Sequence, residues 1–183
     1  MARVPYLEKS DLAPADHDLL ARPITLFKAL VNSPGGARAF HGLGQYIRHK
    51  SKLDPRLREL AILQVGWLTR SPYEWSHHVK LGYDFGVTDA DIKALIADTE
   101  GRPSDLEPLV KTALKAAREA TRDGAVSKAT FAELQRSMSN ESVTDLVITI
   151  AFYNAVVRVL GSLEIDVEPD YQPYLDKYPL PKA

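Results

Sequence analysis

The sequence predicts an all-α protein, an antiparallel bundle of about eight helices. Three observations lead to this fold class. Apolar residues recur at spacings of three and four along most of the chain, as on the buried face of a helix. Proline, glycine and capping residues separate these segments by short joints, which is typical of helical bundles. No segment alternates apolar and polar residues between hairpin turns, as a β-strand does.

Prolines divide the N-terminal part of the chain. Residues 1–15 contain two prolines and no clear period, so we expect an extended arm. A first helix is predicted over 19–31 and ends at Ser33, because Pro34 fits the first turn of a new helix. This second helix is expected to run to about residue 51.

Two capping signals begin the central pair of helices. Asp54 and Ser71 are N-cap residue types, and each is followed directly by a proline, which favours the first helical position. The third helix presents a broad apolar face that includes Trp67, so it is expected to lie deep in the core. The fourth helix is predicted over 72–85, before a glycine that can end it.

The C-terminal half adds four helices and a tail. The helices are predicted over 88–96, over 105–122, around 131–134 and, capped by Ser142, over 142–163. The tail, residues 166–183, carries four prolines and is expected to be extended and to pack on another surface, such as a second subunit.

Length and charge restrict the classes of function. The 183 residues are enough for one domain, which we assign to 1–183. A net charge of −1 produces no strong field, so nucleic acid and anionic membrane are not expected partners. No uninterrupted apolar run approaches the roughly 20 residues that span a bilayer, and the N-terminus has no secretory signal pattern. We therefore expect a cytoplasmic protein.

The chain contains no cysteine. It therefore has no disulfide, no thiolate ligand for a metal and no thiol nucleophile.

The best candidate for chemistry is a glutamate–histidine pair on the fourth helix. Glu74 and His78 are four residues apart and share one helix face. A carboxylate in that position can hold an imidazole in one tautomer and raise its basicity, which a general base requires. A solvated surface pair explains the same spacing, and Glu59 on the third helix can equally be a carboxylate that favours the helix dipole. His77 points about 100° away and is left outside the site.

Two further polar groups have competing explanations. Glu74, His77 and His78 could contact a metal, but no fourth ligand is evident, so we expect no metal site. Tyr153 and Asn154 lie inside the most apolar helix, where packing or a subunit contact is the simpler explanation.

Several segments together resemble the carboxymuconolactone decarboxylase family, which includes the alkylhydroperoxidase D-type proteins. The segments that carry the resemblance are 53–63, the Tyr73-Glu74-Trp75 run with His78, and 86–88, with weaker similarity at 3–6, 32–34 and 145–158. The resemblance covers nearly the whole chain and implies the alkylhydroperoxidase D-like helical fold. It also implies a homo-oligomer, since trimers and hexamers occur in the family.

The family's thiol members place two cysteines, a histidine and an upstream glutamate at fixed spacing. On this sequence the cysteine positions fall on Ser71 and Glu74, the histidine on His78 and the upstream carboxylate on Glu59. A peroxidase label carried over from the family is therefore disfavoured, because neither serine nor glutamate replaces a thiolate in peroxide reduction.

The cysteine-free branch resembles the decarboxylase itself, which converts a carboxylated muconolactone to an enol-lactone and carbon dioxide without a cofactor. The resemblance implies His78 as acid/base, Glu74 as the group that orients it or relays the proton, and Glu59 as the second acid/base. The residues assigned to binding the small-molecule substrate are Ser71, Tyr73, Trp75 and Arg58. Arg56, Arg58 and Arg158 are alternatives for a contact with a substrate carboxylate.

Two other functions stay open at the level of sequence. The first is a non-catalytic small-molecule-binding or assembly protein on the same scaffold, and the second is a metal-dependent hydrolase. Convergence of Glu59, Glu74 and His78 in an enclosed pocket favours the acid/base enzyme, whereas their separation or solvation favours the binding protein.

Overall fold

The computed structural model describes residues 2–181, and these form helices and no strands. The all-α prediction is confirmed, with one more α-helix than the eight expected within this range. The α-helices are α1 Thr25–Leu30, α2 Pro34–His49, α3 Pro55–Leu68, α4 Pro72–Asp84, α5 Asp89–Thr99, α6 Pro108–Asp123, α7 Lys128–Ser137, α8 Asn140–Leu163 and α9 Gln172–Lys177. Short 3-10 helices span Lys9–Asp11, Pro14–Leu20 and Pro169–Tyr171.

Helix α3 is the centre of the bundle. Every residue from Leu57 to Trp67 is buried, and α3 packs most extensively against α6, α4 and α8. Its N-terminus is fixed as the sequence predicts, because the Asp54 side chain accepts a 2.8 Å hydrogen bond from the Leu57 N–H. In the same way Ser71 caps α4, accepting from the Glu74 N–H at 3.5 Å.

A glycine sets the distance between α3 and α4. A Cβ atom on Gly66 would lie 3.3 Å from the backbone nitrogen of Trp75. A side chain at this position would push against the α4 backbone, so glycine allows the two helices to approach this closely. Glu59 lies two turns before Gly66 on α3, and His78 lies one turn after Trp75 on α4, so the close approach brings their side chains face to face.

The N-terminal third differs from the prediction. The expected helix over 19–31 is two pieces, a 3-10 helix at Pro14–Leu20 and α1 at Thr25–Leu30, because Pro23 cannot donate a backbone hydrogen bond between them. The expected extended arm is likewise partly 3-10 helical from Lys9 to Asp11.

The C-terminal part also differs in two places. The N-cap of helix α8 lies three residues earlier than expected, because Ser139 rather than Ser142 caps it, accepting from the Ser142 N–H at 3.1 Å. The tail is not extended throughout, since residues 169–177 form a 3-10 turn and α9. Proline at the first positions of these helices is compatible with both.

Within residues 2–181, only α8 is long and apolar enough to cross a membrane by length and composition. One side of α8 is buried, including Val143, Leu146 and Ile150, and the helix packs against α3 and α6. These contacts make α8 a core helix of the bundle.

Candidate active site

Three buried side chains from α3 and α4 meet at His78. The Glu59 carboxylate lies 2.6 Å from the ring nitrogen Nδ1, and the Glu74 carboxylate lies 2.9 Å from Nε2. All three residues are at most 5% exposed. The imidazole therefore lies between two carboxylates, one from each helix.

The two carboxylates contact His78 differently. Glu59 makes a hydrogen bond of good geometry with Nδ1. Glu74 Oε1 is as close as an ion pair requires, but the ring N–H is not aimed at it, so this buried oxygen accepts no well-formed hydrogen bond from residues 2–181. A buried carboxylate oxygen without a hydrogen-bond donor reduces the stability of the fold, so Glu74 is the member of this group whose position calls for a functional explanation.

These contacts set the charge of the imidazole. Burial on its own lowers the pKa of His78, but the charges of Glu74 and Glu59 outweigh it and raise the pKa of His78 to about 9. Burial raises the pKa of Glu59, yet His78 and Arg58 outweigh that effect and hold it below its usual value. At neutral pH the centre is an imidazolium held by carboxylates.

Arg58 contacts Glu59 and does not line the cavity that opens beside His78. Its Nε donates to Glu59 at 3.1 Å, and its Nη1 donates to the backbone oxygen of Arg48 at 3.2 Å. Its guanidinium also lies over the Phe85 ring, 4.5 Å from the centroid. Arg58 thus compensates the charge of Glu59 and fixes the orientation of that carboxylate.

A cavity of about 370 Å³ opens onto one side of His78. Glu74, His78 and Tyr153 are on its wall, and Glu59 is not. The rest of the wall comes from the 3-10 helix Pro14–Leu20 and from α1, α2, α4 and α8. The apolar and aromatic members are Leu19, Ile24, Leu26, Phe27, Phe40, Tyr73, Leu81, Phe152 and Val156. Its size and lining are those of a small-molecule site.

Of the four residues that the sequence assigns to substrate binding, one lines the cavity and three do not. Tyr73 lines the cavity. Ser71 does not, because its hydroxyl caps α4, and Trp75 does not, because its indole N–H donates to the Tyr178 oxygen at 2.8 Å. Arg58 is occupied by Glu59. Successive helical residues point about 100° apart, so neighbours of His78 in sequence need not share its face.

The arginines left as alternatives for a substrate carboxylate are also elsewhere. Arg56 is paired with Asp91 and Glu107. Arg158 donates to Asn154 on its own helix, at 2.9 Å from the side-chain oxygen. Neither is on the cavity wall.

His77, left out of the site at the sequence level, does line the cavity. Its Nε2 lies 2.8 Å from Glu168 on the C-terminal tail, and its ring is stacked between Tyr73 and Tyr171 at centroid distances of 4.0 and 3.5 Å. Burial lowers the pKa of His77, although Glu168 opposes this. Burial raises the pKa of Glu168, but His77 and the Thr25 N–H lower it to about 2. The two adjacent histidines therefore have opposite pKa shifts.

Within residues 2–181, no group of three or more His, Asp and Glu side chains is arranged to hold a metal ion.

The model of the carboxymuconolactone decarboxylase family matches residues 34–119, which contain α2 to α5, most of α6 and all three members of the Glu59–His78–Glu74 group. Over this segment, which is slightly less than half of its length, the chain is similar to that family. No curated protein sequence gives a significant match.

Several solved structures share the fold of this protein along almost the whole chain. The alkylhydroperoxidase AhpD core protein of Ralstonia eutropha JMP134, an uncharacterized peroxidase-related protein, is 17% identical, covers 95% of both chains and has a TM-score of 0.80. A cysteine-to-alanine variant of the debrominase Bmp8, in complex with 2,3,4-tribromopyrrole, is 21% identical, covers 97% of both chains and has a TM-score of 0.79. A peroxidase-related protein of Silicibacter sp. TM1040 is 16% identical, covers 93% of this chain and 97% of its own, and has a TM-score of 0.71. At these identities the likeness establishes the fold alone.

The positions that hold cysteines in thiol members of the family have separate roles in this protein. Ser71 is a helix cap, and Glu74 faces His78 across 2.9 Å from the cavity wall. The chain has no cysteine that could take over the thiol chemistry. At the second cysteine position and at the histidine position this chain has a carboxylate and an imidazole, which are groups that can exchange protons.

Proposed function

We propose that the protein is a cofactor-independent acid–base enzyme, a lyase of the carboxymuconolactone decarboxylase type that acts on a small carboxylated lactone or related acid. The observation that carries the proposal is the placement of Glu74 and His78 together on the wall of a partly open cavity, with one buried Glu74 oxygen lacking a hydrogen-bond donor. A non-catalytic scaffold gains nothing from a buried, unsatisfied carboxylate, because such a group costs stability.

The three residues take distinct roles in this proposal. His78 is the proton store, because it carries a proton up to a pKa of about 9. Glu74 is the group next to the substrate and passes the proton between His78 and carbon. Glu59, which is bonded to Arg58 and absent from the cavity wall, is a positioning residue for His78 rather than the second acid/base that the resemblance implies.

The reaction balances with these groups. The substrate carboxylate leaves as carbon dioxide, and the electron pair of the broken carbon–carbon bond remains as an enolate. That enolate takes the proton supplied by His78 through Glu74, and His78 regains a proton from solvent. The positive imidazolium stabilises the developing negative charge before the proton moves.

The test is turnover by purified protein on a panel of muconolactones and related lactone acids, followed by ultraviolet absorbance. The wild type should turn over at least one member, and Glu74→Gln and His78→Ala should lower kcat by about 100-fold or more while circular dichroism shows an unchanged helical fold. Exposed Glu133→Gln is the matched control and should keep full activity. Equal activity in His78→Ala, or a folded wild type inactive on every member, contradicts the proposal and favours a binding protein.

We also propose that the protein is a cytoplasmic homo-oligomer, as the resemblance implies. Part of the support is the apolar outer side of α8, where Ala151 and Ala155 are exposed and Phe152 is half-buried. Light scattering should give the mass of a trimer or hexamer, and a monomer would contradict this part of the proposal.

A further inference from the structure

The cationic side chains of the cavity are not equivalent. Three arginines line it, Arg22, Arg38 and Arg48. Arg38 is paired with two carboxylates, Asp16 at 3.0 Å and Asp18 at 2.8 Å. Its charge is compensated, so it is a poor receptor for an anionic ligand.

The other two arginines differ in what they contact. Arg22 donates to the hydroxyl of Tyr171 at 3.2 Å. Arg48, like Arg22, has no carboxylate of residues 2–181 within ion-pair distance, and it is partly buried at the C-terminal end of α2. A half-buried guanidinium with uncompensated charge is a ready site for an anion.

Arg48 also lies on the side of the cavity where the acid–base pair is. Arg48 and Tyr153 both line the cavity. Burial, Glu74 and Glu59 raise the pKa of the Tyr153 phenol, and the Arg48 guanidinium acts in the opposite direction. The Tyr153 ring packs edge-on against the His78 ring, with centroids 5.0 Å apart. An anion held by Arg48 is therefore next to Tyr153 and one ring away from His78.

The remaining wall specifies the shape of the ligand. Phe27, Phe40, Phe152 and Tyr73 line the cavity together with Tyr153, so flat apolar surfaces surround the polar end. Aromatic walls favour a planar ring over a flexible chain, and the volume of about 370 Å³ limits the ligand to a small molecule.

We propose that Arg48, assisted by the Tyr153 hydroxyl, binds the carboxylate of a small planar acid whose ring lies against the aromatic wall of this cavity. This inference deepens the proposed function and rests on it for the step in which the bound acid reacts at Glu74. It replaces Arg56, Arg58 and Arg158, the arginines that the sequence offered, with one that the fold places on the cavity wall. Arg48 is a binding and specificity residue, because it positions the acid without exchanging a proton.

The experiment compares two probes of the same shape, benzoate and its uncharged amide, benzamide. Binding to the folded protein is measured at pH 7 by nuclear magnetic resonance titration. The wild type should bind benzoate about tenfold or more tightly than benzamide, because a guanidinium–carboxylate contact is stronger than a neutral one. Arg48→Gln should weaken benzoate binding to the benzamide level and leave benzamide binding unchanged.

Two further variants control for folding and for general charge. Arg48→Lys keeps the charge but not the two-pronged geometry, so it should retain part of the preference for benzoate. Arg158→Gln removes an equal charge outside the cavity and should bind both probes as the wild type does. If Arg48→Gln does not fold, Arg48→Lys serves as the test, and its preference for benzoate over benzamide must be smaller than that of the wild type.

Several outcomes overturn the inference. They are equal binding of benzoate and benzamide by the wild type, no binding of benzoate at millimolar concentration, and loss of benzoate binding in Arg22→Gln but not in Arg48→Gln. Its failure is distinguishable from failure of the proposed function. Benzoate binding that depends on Arg48 but is unaffected in Glu74→Gln, with no turnover of any lactone acid, refutes the enzyme and leaves the carboxylate site intact.

Discussion

Glu59→Gln separates the charge of the Glu59 carboxylate from its shape. The amide has nearly the same volume, so packing between α3 and α4 is kept. What is lost is the negative charge 2.6 Å from His78 Nδ1 and 3.0 Å from the Arg58 guanidinium. Removing one partner of a buried ion pair costs about 3–5 kcal/mol, because the other charge stays buried and uncompensated. We expect a loss of this size near pH 6.

The loss of stability in Glu59→Gln should become smaller as pH rises. The pKa of His78 is raised to about 9 in the folded protein, so its contribution is fully present below the unfolded value of 6.5 and is lost as pH rises through 9. At 1.36 kcal/mol per pKa unit this contribution is about 3 kcal/mol. Glu59→Gln removes much of it, so the gap between variant and wild type should narrow by about 1–3 kcal/mol between pH 6 and pH 10.

The assay is urea unfolding at pH 6, 8 and 10, followed by the fluorescence of Trp67 and Trp75, which lie in the adjoining core. Glu164→Gln is the control, because Glu164 makes an exposed ion pair with Arg3 that is worth less than about 1 kcal/mol. A cost for Glu59→Gln that is the same at all three pH values would refute the electrostatic reasoning and indicate a packing defect.

Two other substitutions test how the helices and the tail are held. Gly66→Ala should destabilise the protein by about 1–3 kcal/mol in urea unfolding, because the added Cβ would press on the Trp75 backbone. Gly35→Ala is the control. Its Cβ would lie in open space, so it should be neutral or stabilising by up to about 1 kcal/mol. Equal effects of the two would show that α3 and α4 are not in close contact. Wild-type stability should fall as pH drops below 4.5, the pKa of Glu168 in the unfolded chain, towards about 2, its pKa in the folded protein. Glu168→Gln should cost about 1–3 kcal/mol at pH 7 and should weaken this fall in stability at acidic pH. Unfolding at pH 3, 5 and 7 measures both effects. If the variant loses as much stability at acidic pH as the wild type does, the contact between Glu168 and His77 does not anchor the tail.

Local signals in the sequence identify the framework of the site. Asp54 and Ser71 precede prolines, and that pair of signals places the starts of α3 and α4 correctly. Once the helices are in place, Glu74 and His78 share a face by spacing alone. That Glu59 faces them follows from the family resemblance and from the close approach at Gly66, which no periodicity reveals.

The rest of the cavity depends on contacts between distant parts of the chain. Glu168 meets His77 across 91 residues, and Arg48 reaches the wall only because α2 ends beside it. Propensity and periodicity describe one helix at a time, so they cannot pair such residues. The sequence assigns Trp75 and Arg58 to substrate binding, yet the structure uses their side chains in contacts with Tyr178 and Glu59.

In the proposed mechanism His78 carries a proton at neutral pH and is held between two carboxylates at the cavity. The most direct measurement is a titration of the histidine side chains by ¹⁵N nuclear magnetic resonance, with His78→Gln used to assign the signal. We expect His78 to stay protonated through pH 7 and to titrate at about 9, and we expect Glu74→Gln to lower this pKa by about 1–3. A neutral His78 at pH 7, or a pKa that Glu74→Gln leaves unchanged, would contradict it.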